Sequence, residues 1–337
     1  MFTPAREQGK RVIGENTGLA LMMVSGVILS GNVYTPHKKY LSNLHVFTRF
    51  FVSSQSNKKT TNMKSKLILS LTLSFFTLLN LNAQRVDTVK IHSNAMDRDI
   101  YNVIVTPEQY NDAYAMPVVY LLHGHGDDHT KWVNKTQPKL PQLANQYGII
   151  LVCPNGERSW YFDSYNDTKN QFETYVSKEL VEYVDKNYKT IRSPHARAIT
   201  GFSMGGHGAL WLAFRHQDVF GACGSLSGGV DFRAFPNNWN IKDHLGEKKD
   251  NKERWNNSTA LSQIDKIKPG LSIALDCGTE DFFYPCNVAL HEALLKKKIP
   301  HDYTIRPGGH NHSYWGNAIL YQLIFFTEHF KRNISRR

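Results

Sequence analysis

Residues 196–210 read ARAITGFSMGGHGAL. A short apolar run, Ala198-Ile199-Thr200, enters Gly201-Phe202-Ser203-Met204-Gly205, and a small-residue segment with helical character leaves it through Arg215. Strand, sharp turn and helix are the context that a G-x-S-x-G match requires to be a nucleophile elbow. The glycines follow from the geometry. A serine held at a strained corner needs neighbours without Cβ atoms where strand and helix converge, which assigns Gly201 and Gly205 their identity. The helix that starts just after Ser203 aims free N–H groups and a positive dipole end at any oxyanion forming there. The spacing therefore predicts an exposed nucleophilic hydroxyl on Ser203.

A serine becomes a nucleophile when a base takes its proton and an acid orients that base. Downstream, the apolar run LSIALD is followed by Cys277-Gly278-Thr279-Glu280-Asp281-Phe282-Phe283, and HDYTIRP by Gly308-Gly309-His310-Asn311-His312-Ser313-Tyr314-Trp315. Both loops leave strands on the side where an open parallel sheet keeps its site. Asp281 is the expected acid, with Glu280 as the alternative. His310 is the expected base because two glycines permit close backbone approach, with His312 as its competitor. An oxyanion hole needs two donors. The N–H of Met204 supplies one, and the HG-type turn in YLLHGHGDD (120–128) assigns the other to the N–H of His125. The same stretch nearly spells a binuclear zinc motif through His123, His125, Asp127 and His129. Asp128 stands where the last histidine should be, and a zinc site would leave the elbow without a role, so neither metal nor organic cofactor is expected.

Outward from the elbow, short buried-type apolar runs fall at 118–122, 149–153, 198–200, 222–226, 271–276 and 301–306, after two alternating runs at 85–93 and 99–105. Helix-length segments fall at 172–187, 204–215, 288–298 and 315–332. The alternation predicts an α/β architecture with a mostly parallel sheet covered on both faces. Residues 154–170 read as an aromatic and polar loop. Residues 228–268, rich in Asn, Lys, Asp and Trp without clear periodicity, read as an insertion over the strand ends.

The beginning of the chain differs in character. Residues 1–62 hold no sustained period, whereas Met63 opens Lys64, Lys66 and LILSLTLSFFTLLNL, with Leu81-Asn82-Ala83 before Gln84. This is the pattern of a secretory signal peptide at 63–83 behind a non-native upstream extension, and it predicts a secreted or periplasmic protein beginning near Gln84. An uncleaved anchor is the alternative, although the apolar run is short for a membrane span. The formal charge of +11 belongs mostly to this leader, because residues 84–337 hold 30 basic and 27 acidic side chains. No Lys/Arg face with interleaved aromatics occurs there, so nucleic acid is not an expected partner. Residues 84–337 suit a single domain with a large core. The four cysteines, Cys153, Cys223, Cys277 and Cys286, lie at or beside apolar runs and form no metal pattern. A disulfide between Cys277 and Cys286 is permitted by spacing but not established by it.

From about Ile100 onward the chain resembles the putative esterase family of α/β-hydrolases, which includes feruloyl and acetylxylan esterases, S-formylglutathione hydrolases and antigen 85 mycolyltransferases. The stretches that carry the resemblance are LLHGHGDD, PNGERSWYFDS, FETYVSKEL, GFSMGGHGAL, CGTEDFF and PGGHNHSYW. The resemblance implies the α/β-hydrolase fold, Ser203 as nucleophile, Asp281 as acid, His310 as base and the N–H groups of His125 and Met204 as oxyanion hole. Formylglutathione hydrolases carry an HSYY stretch that aligns with His312-Ser313-Tyr314-Trp315, which keeps His312 open as the base. Trp160 and Tyr161 sit where such enzymes line an acyl or sugar pocket, a hydrophobic lid contact being the other reading. The implied activity is hydrolysis of an acylated polysaccharide or a small ester. Within the same chemistry the alternatives are a general short-chain esterase and a thioesterase of the formylglutathione type. A relative that binds carbohydrate without turnover is the reading from a different class.

Overall fold

The computed structural model describes residues 85–334 other than Asp112. The expected upstream extension (1–62) and signal peptide (63–83) lie outside the described residues. Eight strands form one sheet: β1 (Arg85–Ser93), β2 (Arg98–Thr106), β3 (Val118–Leu122), β4 (Ile150–Pro154), β5 (Arg197–Gly201), β6 (Ala222–Leu226), β7 (Ser272–Gly278) and β8 (Asp302–Arg306). Their spatial order is β1-β2-β4-β3-β5-β6-β7-β8. The β1/β2 and β2/β4 pairs are antiparallel, and every other pair is parallel.

The central strands are buried along their whole length because both faces are covered. In β3, Val118, Tyr120 and Leu122 belong to one apolar layer, and Val119 and Leu121 to the other, as the two-residue period of a strand dictates. The second layer is closed by α1 (Leu140–Tyr147) and α7 (His312–Ile334). The first is closed by α2 (172–187), α3 (Met204–Arg215) and α6 (Tyr284–Lys296). Helix α2 is continuous but passes through a π-helical turn at Tyr175–Glu179. Helix α3 is buried on nearly every side, which its run of small residues anticipates. Gln322 of α7 fastens the second layer to the sheet: it accepts from Thr200 and donates to the carbonyls of Ser225 and Ala274.

The segment 228–268 has more local order than its composition announces. It contains two short helices, α4 (Ile241–Leu245) and α5 (Lys252–Asn257), and a 3₁₀ segment at Leu261–Lys266. Its anchors are Phe232, Ile241, Leu245 and Trp255, all fully buried. All four cysteines are free thiols, so the permitted pairing of Cys277 with Cys286 is not made. Among the described residues no helix is long and apolar enough to cross a membrane.

Candidate active site

Because β3, β5, β7 and β8 run parallel, their C-terminal ends open on one edge of the sheet, and the loops that leave them carry every residue singled out around the elbow. Ser203 follows β5 directly. Its backbone sits at φ 57°, ψ −118°, outside the comfortable region for any residue with a Cβ. The corner is held from three directions. Its N–H donates to the carbonyl of Leu226, its own carbonyl accepts from Gly229, and Gly205 N–H donates to the Phe202 carbonyl. The flanking glycines are steric requirements. A Cβ on Gly205 would stand 2.4 Å from the Leu122 carbonyl oxygen, and one on Gly201 would stand 2.6 Å from the same oxygen and from Gly205.

The structure brings three of the expected residues into one hydrogen-bonded chain. His310 Nε2 lies 2.9 Å from Ser203 Oγ, and His310 Nδ1 lies 2.8 and 3.0 Å from the two carboxylate oxygens of Asp281. Asp281 is 4% exposed and also accepts from the N–H of Phe283 at 2.8 Å. A buried carboxylate in this position fixes the ring's tautomer, with the proton on Nδ1 and the lone pair of Nε2 turned to the serine. The neighbouring Glu280 is exposed and takes no part.

His312 is committed elsewhere. Its Nδ1 shares a 2.9 Å hydrogen bond with Thr136 Oγ1, and its ring packs edge-on against Phe202 and Trp315. Desolvation, partly offset by Asp127, lowers its pKa. The residue fastens the start of α7 beneath the elbow.

The two expected oxyanion donors belong to segments that flank the same corner. Met204 is the first residue of α3, so its N–H has no carbonyl four residues back within the helix. His125 follows Gly124, where a Cβ would come 3.3 Å from Ser203 Cβ, which places this loop against the serine. The His125 side chain points away, with Nε2 3.1 Å from Asn240 Oδ1 in the insertion. His123 is buried and structural. Its Nδ1 donates to the Gly124 carbonyl, its Nε2 accepts from Gly156 N–H, and burial lowers its pKa. With both nitrogens of His123 used and His129 stacked on Tyr101, the near-zinc spacing does not converge. Among the described residues no group of three or more His, Cys, Asp or Glu has the geometry to hold a metal.

Trp160 and Tyr161 require a correction. Both have positive φ, 56° and 61°, which turns them inward, and they are 1% and 0% exposed. Trp160 packs edge-on against His207 and Phe232 and donates through Nε1 to the Trp239 carbonyl. Tyr161 donates to the His123 carbonyl. Neither presents surface to a substrate. They brace the oxyanion loop and the insertion from behind, beside a His207 whose burial pushes its pKa down to about 4.

The surface beside the base is formed by residues that sequence reasoning did not single out. Phe282 is 46% exposed and lies 4.2 Å, centroid to centroid, from the His310 ring. Trp239 stacks on Phe282 at 5.7 Å and 17°, and Phe235 meets both Phe282 and Phe283. The available signal was the Phe-Phe pair directly after Asp281; the tryptophan reaches it only through the folding of the insertion.

A clamp below the site fixes the acid and base loops relative to each other. Buried Asp276, at the end of β7, accepts from Tyr314 Oη at 2.7 Å and is paired with Arg306 at the end of β8. Desolvation raises the Asp276 pKa against the pull of these two partners. Backbone bonds from Thr279 to Arg306 and from Glu280 to Gly308 complete the seam.

Residues 93–326 match the Esterase family, described as "Putative esterase". The chain belongs to this esterase family. The acetyl esterase of Caldicellulosiruptor saccharolyticus is 25% identical over 227 residues, 62% of this chain and 82% of that protein. The S-formylglutathione hydrolase of Bos taurus is 27% identical over 246 residues, 64% of this chain and 82% of that protein. Among solved structures, a ferulic acid esterase superposes with a TM-score of 0.64 at 24% identity, covering 74% of this chain and 99% of the other. The fluorophosphonate-binding serine hydrolase F of Staphylococcus aureus superposes with a TM-score of 0.65 at 21% identity, covering 73% and 99%. The esterase is a carboxylic ester hydrolase with the α/β-hydrolase fold.

Proposed function

We propose that the protein is an exported serine esterase that removes acyl groups, of the acetyl or feruloyl kind, from polysaccharide. The observation that carries the catalytic part is the continuous chain Ser203 Oγ, His310 Nε2, His310 Nδ1, Asp281. Ser203 Oγ attacks the ester carbonyl carbon as its proton passes to His310 Nε2. The oxyanion is held by the N–H groups of Met204 and His125. The bond to the alcohol breaks as that oxygen takes the proton from His310, and water repeats the two transfers to release the acid. Asp281 keeps the imidazole in the required tautomer and stabilises its protonated form. Besides the ester and water, these steps use only groups of the chain itself.

The carbohydrate part rests on the wall beside the base. An exposed Phe282 and a stacked Trp239 offer flat apolar faces of the kind that sugar rings and phenolic acyl groups cover. Export rests on the sequence of residues 63–83, and N-terminal sequencing of the secreted protein should begin near Gln84. The test of specificity is initial rates of residues 84–337 on 4-nitrophenyl acetate, methyl ferulate, acetylated xylan and S-formylglutathione. Preference for ferulate or acetylated xylan is expected. Preference for the thioester would overturn the polysaccharide reading and the export that goes with it.

Asn240 provides a second check on the site. It lies at φ 58°, next to Trp239 at φ 53°, two consecutive left-handed residues without glycine. Its side chain bonds both His125 and Asp243, so it sets the turn that positions the oxyanion loop. Removing an oxyanion donor costs about 10²–10³ in kcat, and loosening one costs less. Asn240→Ala should therefore lower kcat about tenfold with KM changed by less than about twofold. Asn240→Asp keeps the acceptor toward His125 but sets a second carboxylate against Asp243, so it should recover only part of the loss. A drop confined to KM would place Asn240 in substrate binding instead.

A further inference from the structure

The insertion holds a second recess that the chemistry above does not use. Pro236, Asn237, Glu247, Lys248, Lys249, Lys252 and Asn256 enclose a groove of about 460 Å³. Its charge is one-sided. The carboxylate of Glu247 is paired with Lys242 at 3.0 Å. Lys248 Nζ donates to the Arg233 carbonyl and feels the Asp231 carboxylate only at a distance, because that carboxylate is held directly by the Arg233 guanidinium. Asp250 and Glu253 line the adjacent hollow beside Tyr165, which shares Lys252 with the groove. Three ammonium groups with two amide side chains, Asn237 and Asn256, form a surface matched to an anion that also carries hydroxyls.

The groove adjoins the aromatic wall beside the active site through the Phe235–Pro236 peptide. From His310 the aromatic wall steps 4.2 Å to Phe282 and a further 6.3 Å to Phe235, and Pro236, the next residue, is already groove wall. A polymer lying across Phe282 and Trp239 with its ester at Ser203 has the lysines next along the surface past Phe235 and Pro236. We infer that the Lys248, Lys249 and Lys252 groove is a subsite for carboxylate-bearing sugar units of the polysaccharide whose ester is cleaved at Ser203. This rests on the polysaccharide reading and narrows it to uronate-containing chains. The wall supplies apolar stacking near the scissile bond, and the groove supplies charge some sugar units away.

Affinity electrophoresis of the active protein tests this without turnover, in native gels containing deacetylated glucuronoxylan or the same polymer with its carboxyl groups reduced to alcohols. Mobility is normalised to gels without polymer. The anionic polymer should retard the protein about tenfold more strongly than the neutral one, with the difference shrinking at high salt. The Lys249→Gln, Lys252→Gln double variant should lose that difference, while Lys178→Gln, Lys186→Gln on α2 should keep it. Hydrolysis of 4-nitrophenyl acetate should stay unchanged in both. Equal retention by the two polymers, equal loss in the two double variants, or no retention by either polymer would overturn the subsite. Release of acetate from neutral acetylated xylan, measured alongside, reports on the polysaccharide reading by itself: its absence would remove that reading, and its presence with any of the former results would remove only the groove.

Discussion

Replacing Ser203 by alanine is expected to lower kcat for 4-nitrophenyl acetate by about 10⁴- to 10⁶-fold, the range found when a nucleophile working as a unit with its base is removed. The side chain of Ser203 makes one hydrogen bond, to His310, so little of the fold depends on it. The thermal midpoint of Ser203→Ala should stay within a few degrees of the parent, and covalent labelling by a fluorophosphonate should vanish. Activity surviving the substitution would mean that the hydroxyl at the elbow is not the nucleophile. The elbow also makes a thermodynamic prediction. At φ 57°, ψ −118° a side chain is held under strain of about 1–3 kcal/mol, whereas glycine accepts that corner at an unfolded-state cost of about 0.4–1 kcal/mol. Ser203→Gly should therefore melt above Ser203→Ala while being equally inactive, and a lower midpoint would show that the corner is not strained.

His310→Ala should be nearly as damaging, with kcat falling by about 10⁴-fold or more because Ser203 loses the group that takes its proton. His312→Ala should act on a different observable. Its ring carries a hydrogen bond to Thr136 and packs on Phe202 and Trp315, so its removal should cost about 1–2 kcal/mol, a fall of several degrees in the midpoint. Its kcat should drop by less than about tenfold. Kinetics and melting measured on both variants separate the two histidines. An inactive His312→Ala beside an active His310→Ala would reverse the assignment.

How much of this was legible beforehand depended on whether a signal was local. The sheet was, because buried strands such as β3 and β6 are continuous apolar runs bounded by polar or small residues, and their expected limits match the observed ones. Helix α3 was equally readable, since the elbow motif fixes its start. Helix α6 begins at Tyr284, ahead of the expected 288, because Pro285 reads as a loop residue although it is at home in a first helical turn. Helix α1 escaped notice for a related reason: eight residues are short for a periodic signal, although Pro141 near its start and Gly148 at its left-handed C-terminus mark both ends. The preference for His310 over His312 had a local ground in Gly308 and Gly309, but the reason that His312 is unavailable was not local, because the distant Thr136 draws it away. The inward turn at Trp160 and Tyr161 was hidden in the same way, because consecutive left-handed conformations in aromatic residues are stabilised by the core that receives them.

The strained pair Trp239 and Asn240 has a consequence for how this enzyme can change over time. Trp239 stacks on Phe282 beside the base, and Asn240 is hydrogen-bonded to His125, the proposed oxyanion donor. On the proposed reading, selectivity and turnover meet in one peptide unit. In many scaffolds a surface insertion can be exchanged like a module, with preference altered and rate kept. Here an exchanged segment would inherit both duties, and a replacement of residues 228–268 that does not rebuild the turn at 239–240 is expected to slow the chemistry. Engineering by loop grafting meets the same constraint, and the transplant boundary that respects it keeps 239–240 with the recipient.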